Sequence, residues 1–260
     1  FFDAHPPIAA FGVASFGPLD VDPGSPTYGT FGTTPKPNWP GASWLEGLVR
    51  FGAPVEIDTD VNGAALGEWA QGAGRGCTTL AYVTVGTGIG AGVVRDGRPL
   101  SGFSHYEMGH IRPPRDRVAD PYAGGCPSHG DCLEGLASGP AILARWGRDL
   151  SDLADRPEAL ALIGGYLGHF AATLALTHMP DRVVFGGGVM KAPGLIQAIR
   201  AAALNELGGY VAGPFAPGRI ATTIVPPALG DDAGIVGAIE LGRRALAEAS
   251  SQQRTTSRLS

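Results

Sequence analysis

Composition denies this 260-residue chain a disulfide framework, a membrane span and a nucleic-acid-binding face. Three cysteines cannot all pair, so cross-links do not organise the fold. No uninterrupted apolar run approaches the roughly 18–20 residues of a spanning helix. Residues 1–5, Phe-Phe-Asp-Ala-His, lack the charged leader and cleavage pattern of a secretory signal. No membrane partner is expected, and reduced thiols suit a cytoplasmic location. Positive charge is short as well: 19 Lys and Arg stand against 24 Asp and Glu, for a net charge of -5 and a pI near 5.6. The basic residues are nearly all Arg and scattered, whereas a nucleic-acid partner calls for a clustered basic face. An initiating Met is absent too, and the chain opens almost directly into strand-like sequence; a further segment upstream is expected.

What is present is an ordinary globular balance, 44% hydrophobic and 17% charged, enough for two modest cores or one large one. Short buried strands are expected at 8–14 and 54–58, with a Pro/Gly-rich segment at 15–41 and a short helix at 43–51 between them. Asp60 caps the next helix, which runs through Ala70 and ends in Gly72-Ala-Gly-Arg-Gly76. That glycine run is the expected domain boundary. Beyond it, strands at 79–85 and 90–95 flank a tight glycine turn, followed by helices at 138–146 and 157–177, a strand at 182–185, a helix at 193–207, a strand at 220–225 and a helix at 233–247. The alternation predicts an α/β layer fold. Residues 1–74 form the small unit, 75–232 the larger one, and helix 233–248 returns to the first. The polar, aperiodic end, 249–260, is expected to be disordered.

The densest chemistry lies in His105-Tyr-Glu-Met-Gly-His110 and Gly125-Cys-Pro-Ser-His-Gly-Asp-Cys-Leu-Glu134. His110, Cys126, His129 and Cys132 supply four nitrogen and sulfur donors within 23 residues, a complete tetrahedral shell for Zn²⁺ with no position left for water. A full shell points to structure rather than catalysis. Accidental spacing of buried thiols is the plainer alternative, and Cys77, alone after Gly76, does read as a simple core or boundary thiol. Two catalytic zinc patterns come close and miss. A zincin needs His-Glu-x-x-His on one helix face, and here the first His precedes Glu107 by two positions. A nucleobase deaminase needs Cys-x-x-Cys, and Cys126 and Cys132 stand too far apart.

Val83-Thr-Val-Gly-Thr-Gly-Ile-Gly-Ala-Gly92 alternates glycine between two strands, which lets backbone amides approach a phosphate without Cβ interference. A glycine-rich hairpin with no ligand has the same spacing, so this motif alone divides evenly between the two. Val184-Phe-Gly-Gly-Gly-Val-Met190 leaves a buried strand for a helix and places three glycines where α/β sheets hold ligands; tight strand–helix packing is its plainer reading. In Asp58-Thr-Asp60-Val-Asn62 the local signal favours a helix cap. Glu107 and Glu134, taken singly, read as solvated acids.

Glu107-x-x-His110, the Cys/His loop running into Cys-Leu-Glu-Gly-Leu-Ala-Ser138, and the two glycine motifs together resemble the ROK family, and within it the bacterial fructokinase type, from about Phe11 to about Leu246. The resemblance implies an actin-like (ribonuclease H-like) two-domain α/β sugar kinase fold, each domain beginning with an antiparallel β-meander. The first meander, with its Asp-x-Gly-Gly-Thr phosphate loop, is missing from this sequence, which makes an N-terminal truncation the expectation. The implied activity is ATP-dependent phosphorylation of a hexose, with Mg²⁺, most naturally fructose to fructose 6-phosphate, by a homodimer. Asp60 would be the catalytic base; Gly86, Thr87, Gly88, Gly186, Gly187 and Gly188 would lie along the nucleotide; Glu107, His110 and Glu134 would meet sugar hydroxyls; and zinc on His110, Cys126, His129 and Cys132 would be a structural staple. The sequence departs from the family in three places. His129 stands in what is usually a three-cysteine loop, and Lys36 and Thr59 stand where many glucose-phosphorylating relatives have Asn. The rival readings are a sugar-responsive ROK transcriptional repressor and a catalytically incomplete fragment; Asp60 and Gly86-Thr-Gly88 favour the enzyme, because a sensor needs neither base nor phosphate cradle.

Overall fold

Alternating apolar residues at 11–15 and 55–59 pair as two parallel strands, β1 (Phe11–Ser15) and β2 (Val55–Thr59), with Phe11 opposite Val55 and Ser15 opposite Thr59. The computed structural model describes residues 7–34 and 36–259; the opening residues 1–5 and Ser260, at the end of the expected tail, lie outside that range. Between the two strands the chain makes bends, an aromatic cluster and the short helix α1 (Trp44–Leu48). Phe16, Phe31, Trp39 and Trp44 stack with ring centroids 4.7–5.9 Å apart, over a small core of Leu19, Phe31 and Ile57.

The chain then enters α2 (Asp60–Gln71). Here the sequence expectation is corrected by one residue. Thr59, not Asp60, is the N-cap: its hydroxyl accepts the Asn62 amide at 3.2 Å, and its extended backbone leaves Asp60 as the first helical residue, whose carboxylate accepts only the adjacent Val61 amide.

After the 72–76 turn comes a meander of β3 (Thr79–Val85), β4 (Ile89–Arg95) and β5 (Arg98–Pro99). Helices α3 (Leu133–Ala137), α4 (Gly139–Trp146) and α5 (Pro157–His178) follow. Then come β6 (Arg182–Gly186), α6 (Leu195–Leu207), α7 (Ile220–Thr223), β7 (Ile224–Val225) and α8 (Ala233–Leu259). The five strands form one mixed sheet in the order β5-β4-β3-β6-β7, antiparallel through β5-β4-β3 and parallel through β3-β6-β7.

Side-chain alternation along β3 builds a core on each face of this sheet. Ala81, Val83 and Val85 join Val183 and Phe185 under α5 and α6, while Leu80, Tyr82, Val94 and Val184 face α2 and α8. By length and mean hydropathy α5 could cross a membrane, but it is the central helix of the first core: Ile163, Leu167, Phe170 and Leu174 are 0–1% exposed. On the other face, α8 touches α2 and β1 backbone to backbone. A Cβ on Gly237 would stand 1.8 Å from the Gly63 carbonyl, and one on Gly12 would stand 1.9 Å from the Ala238 carbonyl.

Two further expectations are corrected. Residues 220–223, expected as strand, form a helical turn closed on Arg219, whose carbonyl accepts the Thr222 amide and both threonine hydroxyls; only Ile224 and Val225 remain to pair with β6. Residues 249–259, expected as a disordered tail, continue α8, with the Ser250 and Ser251 hydroxyls turned back onto the carbonyls of Leu246 and Ala247 at 2.8 and 2.9 Å. A serine that satisfies its hydroxyl in this way leaves the helix unbroken.

Candidate active site

The Cys/His loop is closed on itself before any ion is considered. Cys126 and Gly130 exchange backbone hydrogen bonds of 3.1 and 2.9 Å, and Gly125 donates to the Gly135 carbonyl at 2.8 Å. Gly135 is obligatory here: a Cβ would meet the Gly130 carbonyl at 2.0 Å. The loop is thus pressed onto α3, whose N-cap is Cys132.

This arrangement brings all four predicted ligands together. The donor atoms of His110, Cys126, His129 and Cys132 lie within 4.8 Å of one another. Cys126 Sγ is 3.8 Å from His110 Nδ1 and 3.7 Å from His129 Nδ1, and Cys132 Sγ is 3.5 Å from His110 Nδ1. Zn–S bonds of about 2.3 Å and Zn–N bonds of about 2.0–2.1 Å produce tetrahedral edges of this size, so the residues fit the ion. Burial pushes the Cys132 thiol up to about 11, with neighbouring Cys126 adding to the rise; a divalent cation deprotonates such a thiol outright.

His110 turns its other nitrogen away from the sulfurs, Nε2 standing 3.8 Å from Glu107 Oε2. Glu107 Oε1 is in turn 3.6 Å from Nδ1 of His105. A carboxylate behind a metal-bound imidazole fixes its tautomer and ring orientation.

Glu134, in the first turn of α3, lies directly beneath the β3–β4 turn. It accepts the Ile89 amide at 3.0 Å, and a Cβ on Gly88 would reach within 2.6 Å of its carboxylate. The turn is braced from both ends, Gly86 donating to the Gly88 carbonyl at 2.9 Å and Gly139 to the Gly86 carbonyl at 2.8 Å. Gly86 and Thr87 share a cavity of about 360 Å³ with Gly188, Gly139, Asp149 and Ser151. The two glycine motifs, some 100 residues apart in the chain, therefore open on one cleft. Gly187 joins them at φ +95°, where a Cβ would meet the Val85 carbonyl at 2.4 Å. Gly186 and Gly187 also line a neighbouring cavity of about 530 Å³ with Tyr82, Lys191 and Asp231.

Asp60 projects from the β2–α2 corner. It is open to solvent, and its Oδ1 accepts the Val61 amide at 2.8 Å. Desolvation by the protein packed around it nevertheless pushes its carboxyl above the ordinary carboxylate range, with the Val61 amide, Lys36 and His105 partly offsetting the rise. Asp58 is tied down instead, accepting from the Thr59 amide and Asn62 Nδ2, both at 2.7 Å. Lys36 Nζ sits 3.2 Å above the Phe16 ring.

Two features escaped the sequence reading. His105 is one: its side chain is 6% exposed and its Nε2 accepts the Leu19 amide at 3.1 Å. The only sequence signal is its spacing, two and five residues ahead of Glu107 and His110. The other is a buried ionic cluster of Arg115, Asp120, Arg145 and Tyr166, for which no sequence signal exists.

The chain is 48% identical over 240 residues to the fructokinase of Zymomonas mobilis subsp. mobilis, covering 90% of this chain and 77% of that protein. The structure is similar to the ROK hexokinase from Thermus thermophilus, with a TM-score of 0.72 and 31% identity over 92% of this chain and 80% of that one. It is also similar to a ROK family glucokinase from Streptomyces griseus in complex with glucose and AMPPNP, with a TM-score of 0.68 and 25% identity over 93% of this chain and 83% of that one. Sheet order and neighbours alike give the actin-like α/β fold. The ROK family model matches residues 3–245, and the chain belongs to the ROK family.

Proposed function

We infer that the protein is an ATP-dependent fructokinase, converting fructose to fructose 6-phosphate in the cytoplasm. The observation that carries this reading is the seating of Glu134 under the Gly86–Gly88 turn, which puts a sugar-type acceptor and a phosphate-type glycine turn in one place. The 48% identity to a fructokinase supports fructose as the hexose. A sugar-responsive repressor would need neither the shared glycine cleft nor Asp60.

In this reading the nucleotide lies along Gly86, Thr87 and Gly88 and along Gly186, Gly187 and Gly188, with Mg²⁺ carried mainly on its phosphates, as is usual for this ion. Glu107, His110 and Glu134 take sugar hydroxyls, and an apolar molecule, which lacks them, would leave these acceptors unpaired once the site closes. Asp60 removes the proton from the C6 hydroxyl as that oxygen bonds to the γ-phosphorus and the bond to the β-phosphate oxygen breaks; ADP leaves and the proton stays on the carboxylate. Its raised affinity for protons brings it closer to working pH as a base. His110, Cys126, His129 and Cys132 would hold Zn²⁺, which would staple the loop that carries Glu134 into place. Residues 1–74 with helix 233–248, and residues 75–232, act as two units closing on the sugar to exclude water, in a homodimer.

Replacing Asp60 by Asn is expected to lower kcat about 10²–10⁴-fold while fructose binding stays near normal. The acid limb of the rate profile, set above the ordinary carboxylate pKa by the surroundings of Asp60, should disappear with it. ADP release measured against fructose, mannose and glucose tests both points; near-normal turnover in the variant would overturn the assignment.

A further inference from the structure

We propose that His105 is a positioning residue that docks the metal-bearing loop onto the 17–19 segment and holds Glu107 in its sugar-binding orientation. The proposal rests on the fructokinase reading of the same site. His105 lies in the irregular segment between β5 and the metal ligands, where Phe103 is 100% and Tyr106 40% exposed, yet its own ring is inserted to 6%. A polar ring buried from an otherwise exposed loop needs partners, and it has one on each side.

Nε2 accepts the Leu19 amide at 3.1 Å. An accepting Nε2 leaves the proton on Nδ1, the nitrogen that lies 3.5 Å from the Tyr106 carbonyl and faces Glu107 Oε1 at ion-pair distance, 3.6 Å. The other Glu107 oxygen faces His110 Nε2 at 3.8 Å, and His110 Nδ1 stands among the sulfurs. One continuous polar line therefore runs from the Leu19 backbone through His105, Glu107 and His110 to the metal cluster. The Glu107 side chain is 55% exposed, so without a ring on either side it would sample several rotamers, and each would have to be frozen on binding sugar. Gly17 completes the seat: a Cβ there would stand 3.1 Å from the ring of His105. The ring also forms part of the wall, between residues 18–32 and 103–105, of a cavity of about 500 Å³, which places the latch where the two segments meet.

The test uses the complete zinc-loaded protein, with fructose as the probe. Intrinsic tryptophan fluorescence reads fructose affinity, ADP release gives kcat and KM, and elemental analysis gives zinc per chain. His105→Ala should weaken fructose affinity and raise KM about tenfold or more, change kcat by less, and leave zinc stoichiometric. His105→Gln should recover much of the affinity, since its carbonyl can accept the Leu19 amide while its NH₂ serves Glu107. Unchanged affinity in His105→Ala alongside normal wild-type turnover would overturn the proposal and leave the kinase reading intact. Zinc loss in parallel with affinity, with no recovery in His105→Gln, would overturn it in favour of a purely structural histidine. Wild-type protein that binds fructose without releasing ADP would break the kinase reading while the fluorescence comparison still decided the role of His105. Wild-type protein that does neither would overturn both.

Discussion

The segment from 110 to 132 is held by two polar clusters of opposite character. In one, the donors of two cysteines and two histidines, from both ends of the segment, converge within 4.8 Å. In the other, Asp120, midway along it and 4% exposed, gathers two arginines and a tyrosine: Tyr166 donates to it at 2.6 Å, Arg145 Nη2 lies at 3.1 Å and Arg115 Nη2 at 3.7 Å. Arg115 also reaches Asp131 at 3.4 Å, the residue next to the predicted ligand Cys132. Among the described residues the three guanidinium nitrogens of Arg145 have no aligned hydrogen-bond partner. The group meets Asp120 by charge and the Tyr122, Trp146 and Tyr166 rings by their faces, at 4.5, 5.4 and 6.0 Å. Burial pushes this guanidinium below its ordinary range, and Asp120 pushes it partly back. The first cluster fits an ion that would supply its binding energy outright; the second balances desolvation against attraction and is worth most when intact.

The comparison breaks most visibly at the metal cluster. Cys132→Ser, or chelation of the wild-type protein, is expected to destabilise by at least about 5 kcal/mol, since structural zinc contributes on the order of 10 kcal/mol in small domains. Thermal unfolding with and without chelator measures it, and an unchanged melting temperature would remove zinc from the account of this fold. In the arginine cluster, Asp120→Asn leaves Arg145 and Arg115 buried without their shared counter-charge, which should cost about 3–5 kcal/mol. Zinc content decides how the two clusters relate. Stoichiometric zinc in this variant shows them to be independent, and zinc loss shows that Asp120 also aligns the ligands, through Arg115 and Asp131.

The same contrast explains what could be read from the sequence. Cysteine and histidine are rare here and the four predicted ligands fall within 23 residues, so their chemistry and spacing show in the sequence itself. Arg115, Asp120, Arg145 and Tyr166 are common residue types spread over 52 positions, and only the folding of the 112–132 loop against Arg145 of α4 and Tyr166 of α5 brings them into contact. Strands β3 and β6 were legible because their apolar runs are bounded by glycine and charge. The short 220–225 segment was not, because β-branched residues at the edge of a sheet serve a helical turn equally well once Arg219 offers its carbonyl. The two glycine motifs announced themselves singly, but their common cleft depends on β3 and β6 being neighbours, which is a fact of topology.

Tyr166→Phe sharpens the comparison with the smallest effect, because it removes one hydrogen bond and leaves all three charges of the arginine cluster in place. A hydrogen bond to a buried carboxylate contributes about 1.5–3 kcal/mol, so the loss should be about 2 kcal/mol, below that of Asp120→Asn. The pH dependence identifies its source. Burial, reinforced by Asp120, pushes the Tyr166 phenol up to about 12 in the folded protein, whereas an unfolded tyrosine releases its proton near 10. The native state then holds a proton that the unfolded state has lost, so this stabilisation is complete below pH 10 and disappears as pH rises to about 12. Tyr28 and Tyr82 are also pushed up to about 12 by burial, so the variant should lose only part of the alkaline slope of stability. Denaturant unfolding of both proteins between pH 8 and 11 measures that difference; equal slopes would place Tyr166 outside the ionic cluster energetically, leaving Asp120 to its arginines.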